Sequence, residues 1–124
     1  MNMPHIFVYG TLRKGFDHPM SKILNSNAHW EGHGYIYAQL FDLGAYPGIV
    51  LDKELSNNTY GDLYDLTNPS IGKLLDEYEG DQYKKTITNV FVKEHVFQAN
   101  VYELVIPTKH FTFIPSGDYL SYIA

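Results

Sequence analysis

His5-Ile6-Phe7-Val8-Tyr9-Gly10-Thr11-Leu12-Arg13 is a strand that runs straight into a glycine turn. Four strand-forming residues deliver the chain to Gly10, which permits a bend that other residues resist. A small hydroxyl residue follows, then a leucine and an arginine. Such a turn can leave several backbone N–H groups unpaired and aimed at one point, which suits an oxygen carrying negative charge. Read alone, the same residues argue more for an ordinary tight turn beside a buried Tyr, because a lone glycine motif is weak evidence.

Outward from this stretch, strand signals dominate. They recur at 29–43, 59–66, 85–97 and 99–106, and the last pair reads as a hairpin return. Two stretches have helical spacing. Residues 18–25 carry Met20, Ile23 and Leu24, and residues 69–79 carry Ile71, Leu74, Leu75 and Tyr78 at i, i+3, i+4 and i+7. Asn68 is placed to cap the second helix, Pro69 suits its first position, and Gly80 suits its end. Many strands with only two helices indicate a mixed α+β fold whose sheet could curl into a barrel.

The 124 residues fit a single domain, 1–124, with 44% apolar residues and a net charge of −5. Nine scattered Lys and Arg leave no footprint for nucleic acid or for an anionic membrane surface. Absence of cysteine excludes disulfides, thiolate metal sites and a cysteine nucleophile. With no signal-like segment and only short apolar runs, a cytoplasmic location is expected and no membrane partner. Aromatic content of 15%, with 11 Tyr, points to a β-rich fold with polar interior positions, as a pocket would have.

The end of the second helix is chemically odd. Asp76, Glu77 and Glu79 crowd its last turn, where the helix dipole disfavours carboxylates. At 100° per residue Asp76 and Glu77 fall off the apolar stripe, as solvated acids do, whereas Glu79 lands near its edge beside Leu75. Partial burial and the dipole would both raise the pKa of Glu79, which is what a general acid/base requires. The wheel leaves a solvated, acidic helix end equally open for it.

Taken together, Val8-Tyr9-Gly10-Thr11-Leu12-Arg13 and Leu75-Asp76-Glu77-Tyr78-Glu79-Gly80 resemble the gamma-glutamylcyclotransferase-like family. Ala45-Tyr46-Pro47-Gly48, Tyr60-Gly61-Asp62-Leu63-Tyr64-Asp65, Gly80-Asp81-Gln82-Tyr83-Lys84-Lys85 and Ser116-Gly117-Asp118-Tyr119 match further segments in order. Lys85 stands where that family usually has Arg, Asp62 where it has Glu, and Tyr119 where it has Trp. Lys for Arg loses a bidentate fork.

The resemblance implies a small mixed β-barrel with a few flanking helices. It implies cyclisation of a gamma-glutamyl amide to 5-oxoproline with release of an amine or amino acid, and no metal or cofactor. It assigns Tyr9, Gly10, Thr11 and Leu12 to the glutamyl moiety and Glu79 to proton transfer. Tyr83 and, more weakly, Tyr119 would line the pocket. The partner expected is thus a small-molecule gamma-glutamyl substrate, or, on the alternative reading, a small carboxylate metabolite held without turnover.

Other signals carry less. His29 and His33 flank Glu31, but a strand lacks the helical face of an i, i+4 metal pair. His18 reads as a cap, Arg13 as a turn arginine or an anion attractor, and Ser116-Gly117-Asp118 lacks the elbow of a hydrolase nucleophile.

Overall fold

The computed structural model describes residues 5–124. Its strands are β1 (His5–Val8), β2 (His29–Asp42), β3 (Pro47–Leu51), β4 (Asn58–Asp65), β5 (Tyr83–Val92), β6 (His95–Leu104) and β7 (Thr112–Phe113). Its helices are α1 (Pro19–Asn27), α2 (Pro69–Glu79) and α3 (Tyr119–Ile123). Five strands close a barrel in the order β2-β4-β1-β6-β5, and Tyr35 paired with Phe91 joins β5 back to β2. All barrel pairings are antiparallel except β1 with β6. The fold is therefore the expected α+β barrel with flanking helices.

β1 explains why the barrel has two apolar layers. Its run of three apolar residues, Ile6-Phe7-Val8, lies at the centre of the sheet and is buried on both faces, as a covered strand requires. Phe7 joins Ile36, Leu63, Val90 and Val101 inside the barrel. Ile6 and Val8 face outward onto Leu24 of α1 and Ile71 and Leu75 of α2. Each such side chain stabilises the fold by about 1.5–3 kcal/mol when fully buried.

α2 covers the residues expected, 69–79. The Asn68 side chain accepts from the Ser70 N–H, and Gly80, at φ 79°, donates its N–H to the Asp76 carbonyl. Its apolar stripe is narrower than its periodicity predicts. Ile71 and Leu75 are buried, but Leu74 is 37% and Tyr78 40% exposed.

The hairpin between β5 and β6 turns at Lys93-Glu94, earlier than the expected break after residue 97. Lys93 itself takes the left-handed conformation, φ 53°, so the Gly or Asn that usually marks such a turn is missing. β3 begins on Pro47-Gly48, a pair that reads as a turn, and its pairing with the second half of β2 is visible only in three dimensions. No helix among the described residues is long and apolar enough to cross a membrane.

Candidate active site

A cavity of about 400 Å³ opens where β1 ends. Phe7 to Leu12, His18, Ala45 to Pro47, Tyr78, Glu79, Tyr83 and Tyr102 line it. The fold thus brings together the glycine turn and the end of α2, and with them Tyr9, Gly10, Thr11, Leu12, Glu79 and Tyr83. Tyr119 is not on this wall. Capped by Asp118, α3 turns Tyr119 into the barrel core, where it is 4% exposed and stacks on Tyr122.

Gly10 is required for a reason other than a left-handed bend, since its φ lies outside that region. A Cβ there would sit 2.6 Å from Cγ of Pro47. The turn thus closes against the Ala45–Pro47 wall, and only a glycine allows that approach. The Arg13 N–H returns to the Gly10 carbonyl at 3.1 Å. Among the described residues the N–H groups of Gly10, Thr11 and Leu12 make no such turn or loop bond. Gly10→Ala is expected to destabilise the protein by about 1–3 kcal/mol through overpacking. It should also weaken ligand binding, which thermal unfolding with and without ligand would measure.

Glu79 is the last residue of α2, half-buried on the cavity wall. Burial pushes its pKa up from 4.5 to about 7. No hydrogen-bond donor or cation is paired with it among the described residues. The tyrosine hydroxyls around it are otherwise engaged. Tyr9 donates to the Tyr102 carbonyl at 2.8 Å, Tyr83 to the Pro47 carbonyl at 2.6 Å and Tyr46 to Gln82 at 2.6 Å. Tyr102 donates to Asp76 at 2.6 Å. Burial, with the Glu79 charge adding to it, holds the phenols of Tyr9 and Tyr83 well above their ordinary range. They are neutral donors with their protons already placed, so Tyr83 orients the Pro47 wall and not Glu79.

Tyr78 spans the cavity mouth, its hydroxyl 3.3 Å from both Thr11 Oγ1 and His18 Nε2. His18 Nδ1 accepts the Met20 N–H at the start of α1, which leaves the proton of the neutral ring on Nε2. His18 therefore caps α1 and lines the cavity at once. Tyr46, Tyr78 and Tyr102 are lining residues that sequence reasoning missed as such. Tyr46 and Tyr78 lie inside the matching segments, whereas Tyr102 carries no local signal.

Two acids have partners that arrive from distant parts of the chain. Asp76 is exposed, as expected, and so is Glu77, yet Asp76 also takes the Tyr102 hydroxyl and lies 3.1 Å from Lys85 Nζ. Asp62 is fully buried and receives Arg13 Nε at 3.3 Å, the Lys14 N–H at 3.0 Å, Trp30 Nε1 at 3.1 Å and His33 Nδ1 at 2.5 Å. Arg13 also pairs with Asp118 at 2.8 Å. It is a structural clamp behind the turn and does not line the cavity. Asp118 is a helix cap, not part of a nucleophile motif. Glu31 gathers with His5 and Asp65, their ligand atoms within 4.8 Å of one another, while His33 goes to Asp62; none of these lines the cavity.

Solved structures share this fold. YkqA from Bacillus subtilis matches with a TM-score of 0.78 and 27% identity over 98% of this chain and 41% of its own. The chain thus spans less than half of YkqA. PH0828 from Pyrococcus horikoshii matches with a TM-score of 0.73 and 26% identity, over 96% of this chain and 92% of that one. An AIG2-like protein from Mus musculus matches with a TM-score of 0.78 and 23% identity, over 96% and 89%, a likeness of fold. Among curated proteins none matches. The model of one family, described as gamma-glutamyl cyclotransferase, AIG2-like, matches residues 6–121. With that match over nearly its whole length, this chain belongs to the gamma-glutamyl cyclotransferase, AIG2-like family, which supports a cyclotransferase-type function.

Proposed function

We propose that the protein cyclises a gamma-glutamyl amide to 5-oxoproline and releases an amine. One observation supports this reading: the cavity pairs a carboxyl that has no partner among the described residues with a turn whose N–H groups make no turn or loop bond among them. The substrate's α-amine is tethered to its own γ-carbonyl, so no enzyme nucleophile is required, and folding the substrate into attack geometry is the main task. Glu79 takes one proton from the α-ammonium, and the freed amine attacks the γ-carbonyl carbon. The turn's N–H groups receive the oxyanion that forms. The bond from that carbon to the departing nitrogen then breaks as Glu79 hands over its proton. The second proton, shed as the ring nitrogen becomes an amide, follows by the same carboxyl, so the amine leaves as its ammonium ion and Glu79 ends ionised.

Purified protein incubated with a panel of gamma-glutamyl amino acids and amines should release 5-oxoproline and free amine in equal amounts. The alternative is a protein that holds a small carboxylate metabolite without turnover. A rise in melting temperature with glutamate-like ligands, and no 5-oxoproline from any amide, would decide for it.

A further inference from the structure

We propose that Tyr102 is a positioning residue that struts the glycine turn against the last turn of α2 and so fixes where the Glu79 carboxyl sits relative to that turn. Only its kinetic consequence rests on the cyclotransferase reading.

Tyr102 lies on β6, 5% exposed, and is engaged at both ends. Its carbonyl accepts the Tyr9 hydroxyl at 2.8 Å, one residue before Gly10. Its own hydroxyl donates to Asp76 Oδ1 at 2.6 Å, one helical residue triplet before Glu79. Lys85, paired with Tyr102 across β5 and β6, reaches the other oxygen, Oδ2, at 3.1 Å. The Asp76 carbonyl meanwhile accepts the Gly80 N–H. Asp76 is therefore held through side chain and backbone, on both sides of Glu79 in sequence.

This arrangement accounts for an acid where the helix dipole disfavours one. The cross-strand pair, a cation and a hydroxyl, offsets that cost and ties down a helix end that would otherwise fray. Glu79 has no side-chain partner among the described residues, so the anchor one turn back is what sets its position. A displacement of about 1 Å at such a group can lower a rate by about 10²-fold.

The test compares Tyr102→Phe, Asp76→Glu and Lys85→Arg with wild type, with folding checked by circular dichroism. Two quantities are read: the titration midpoint of the Glu79 carboxyl by ¹³C NMR, and kcat and KM for 5-oxoproline release. Tyr9, Tyr83 and Tyr102, raised by burial, stay neutral across the titration; His18, Tyr46 and Tyr78 share the cavity wall, and the Asp76–Lys85 pair lies one turn back. Tyr102→Phe leaves every one of these charges in place, so a midpoint it moves reports the position of the carboxyl. In Tyr102→Phe the midpoint should fall by about one unit toward the ordinary carboxylate value as Glu79 gains water. kcat should fall about tenfold or more with KM within about threefold. Lys85→Arg, which keeps the ion pair, should match wild type. An unmoved midpoint in folded Tyr102→Phe overturns the proposal. Should that variant not fold, Asp76→Glu, which keeps the charge but displaces the acceptor oxygens, decides by the same midpoint. If wild type releases no 5-oxoproline, the cyclotransferase reading fails and the midpoint alone still judges the strut.

Discussion

Replacing Glu79 with Gln is expected to lower turnover of a gamma-glutamyl amide by about 10²–10⁴-fold, the usual contribution of a positioned acid/base. Gln keeps the shape of the side chain but cannot carry a proton. The turn is untouched, so stabilisation by glutamate-like ligands should persist. Steady-state assays of 5-oxoproline release check the rate, and unchanged turnover would remove Glu79 from the mechanism.

The pH dependence follows from the same group. With a pKa of about 7, the carboxyl is protonated at lower pH and cannot accept the α-ammonium proton. Below that value kcat/KM should fall about tenfold per pH unit, and the Gln variant should lose this limb. Stability moves the opposite way. The folded pKa lies above the ordinary 4.5, so the native state binds this proton more tightly than the unfolded chain does. Its stabilising contribution is full below about pH 4.5 and is lost as pH rises through about 7. Glu79→Gln should therefore melt higher than wild type at pH 8 and match it at pH 4. A charged carboxyl kept in a half-buried place for its chemistry has this cost.

Asp62→Ala is expected to destabilise the protein by about 1–3 kcal/mol, because the mostly buried Arg13 keeps only Asp118 and the Trp30 N–H loses its acceptor. Arg13, the Lys14 N–H, Trp30 and His33 would all lose an acceptor at once. Urea denaturation should show a lower midpoint with an unchanged slope. Asp62→Asn keeps an acceptor oxygen without the charge and should cost less. A loss under about 1 kcal/mol for the Ala variant would show that water replaces the clamp. Because Arg13 and Lys14 follow directly on the glycine turn, catalysis should suffer before the fold does.

Much of the site was legible because its signals are local. Asn68 and Gly80 bound α2 through their own backbone bonds, so the span of that helix could be read from the residues themselves. Its 3.6-residue period placed Glu79 at the edge of the buried stripe, where the structure has it. Tyr119 was misplaced because its segment matches in order while α3 turns the ring into the barrel. Asp76 is exposed as the wheel has it, but the wheel cannot show a hydroxyl arriving from another strand.

By itself, then, the sequence determined the kinds of element, the caps of α2, the glycine turn and the acid at the helix end. These depend on residues a few positions apart, whose spacing is written in the chain. Tertiary structure alone decided that Gly10 meets Pro47, that Tyr102 joins the turn to α2, and that Tyr35 and Phe91 close the barrel. Those contacts join residues far apart in sequence. They form only when the barrel's two apolar layers pack together, which no local period encodes.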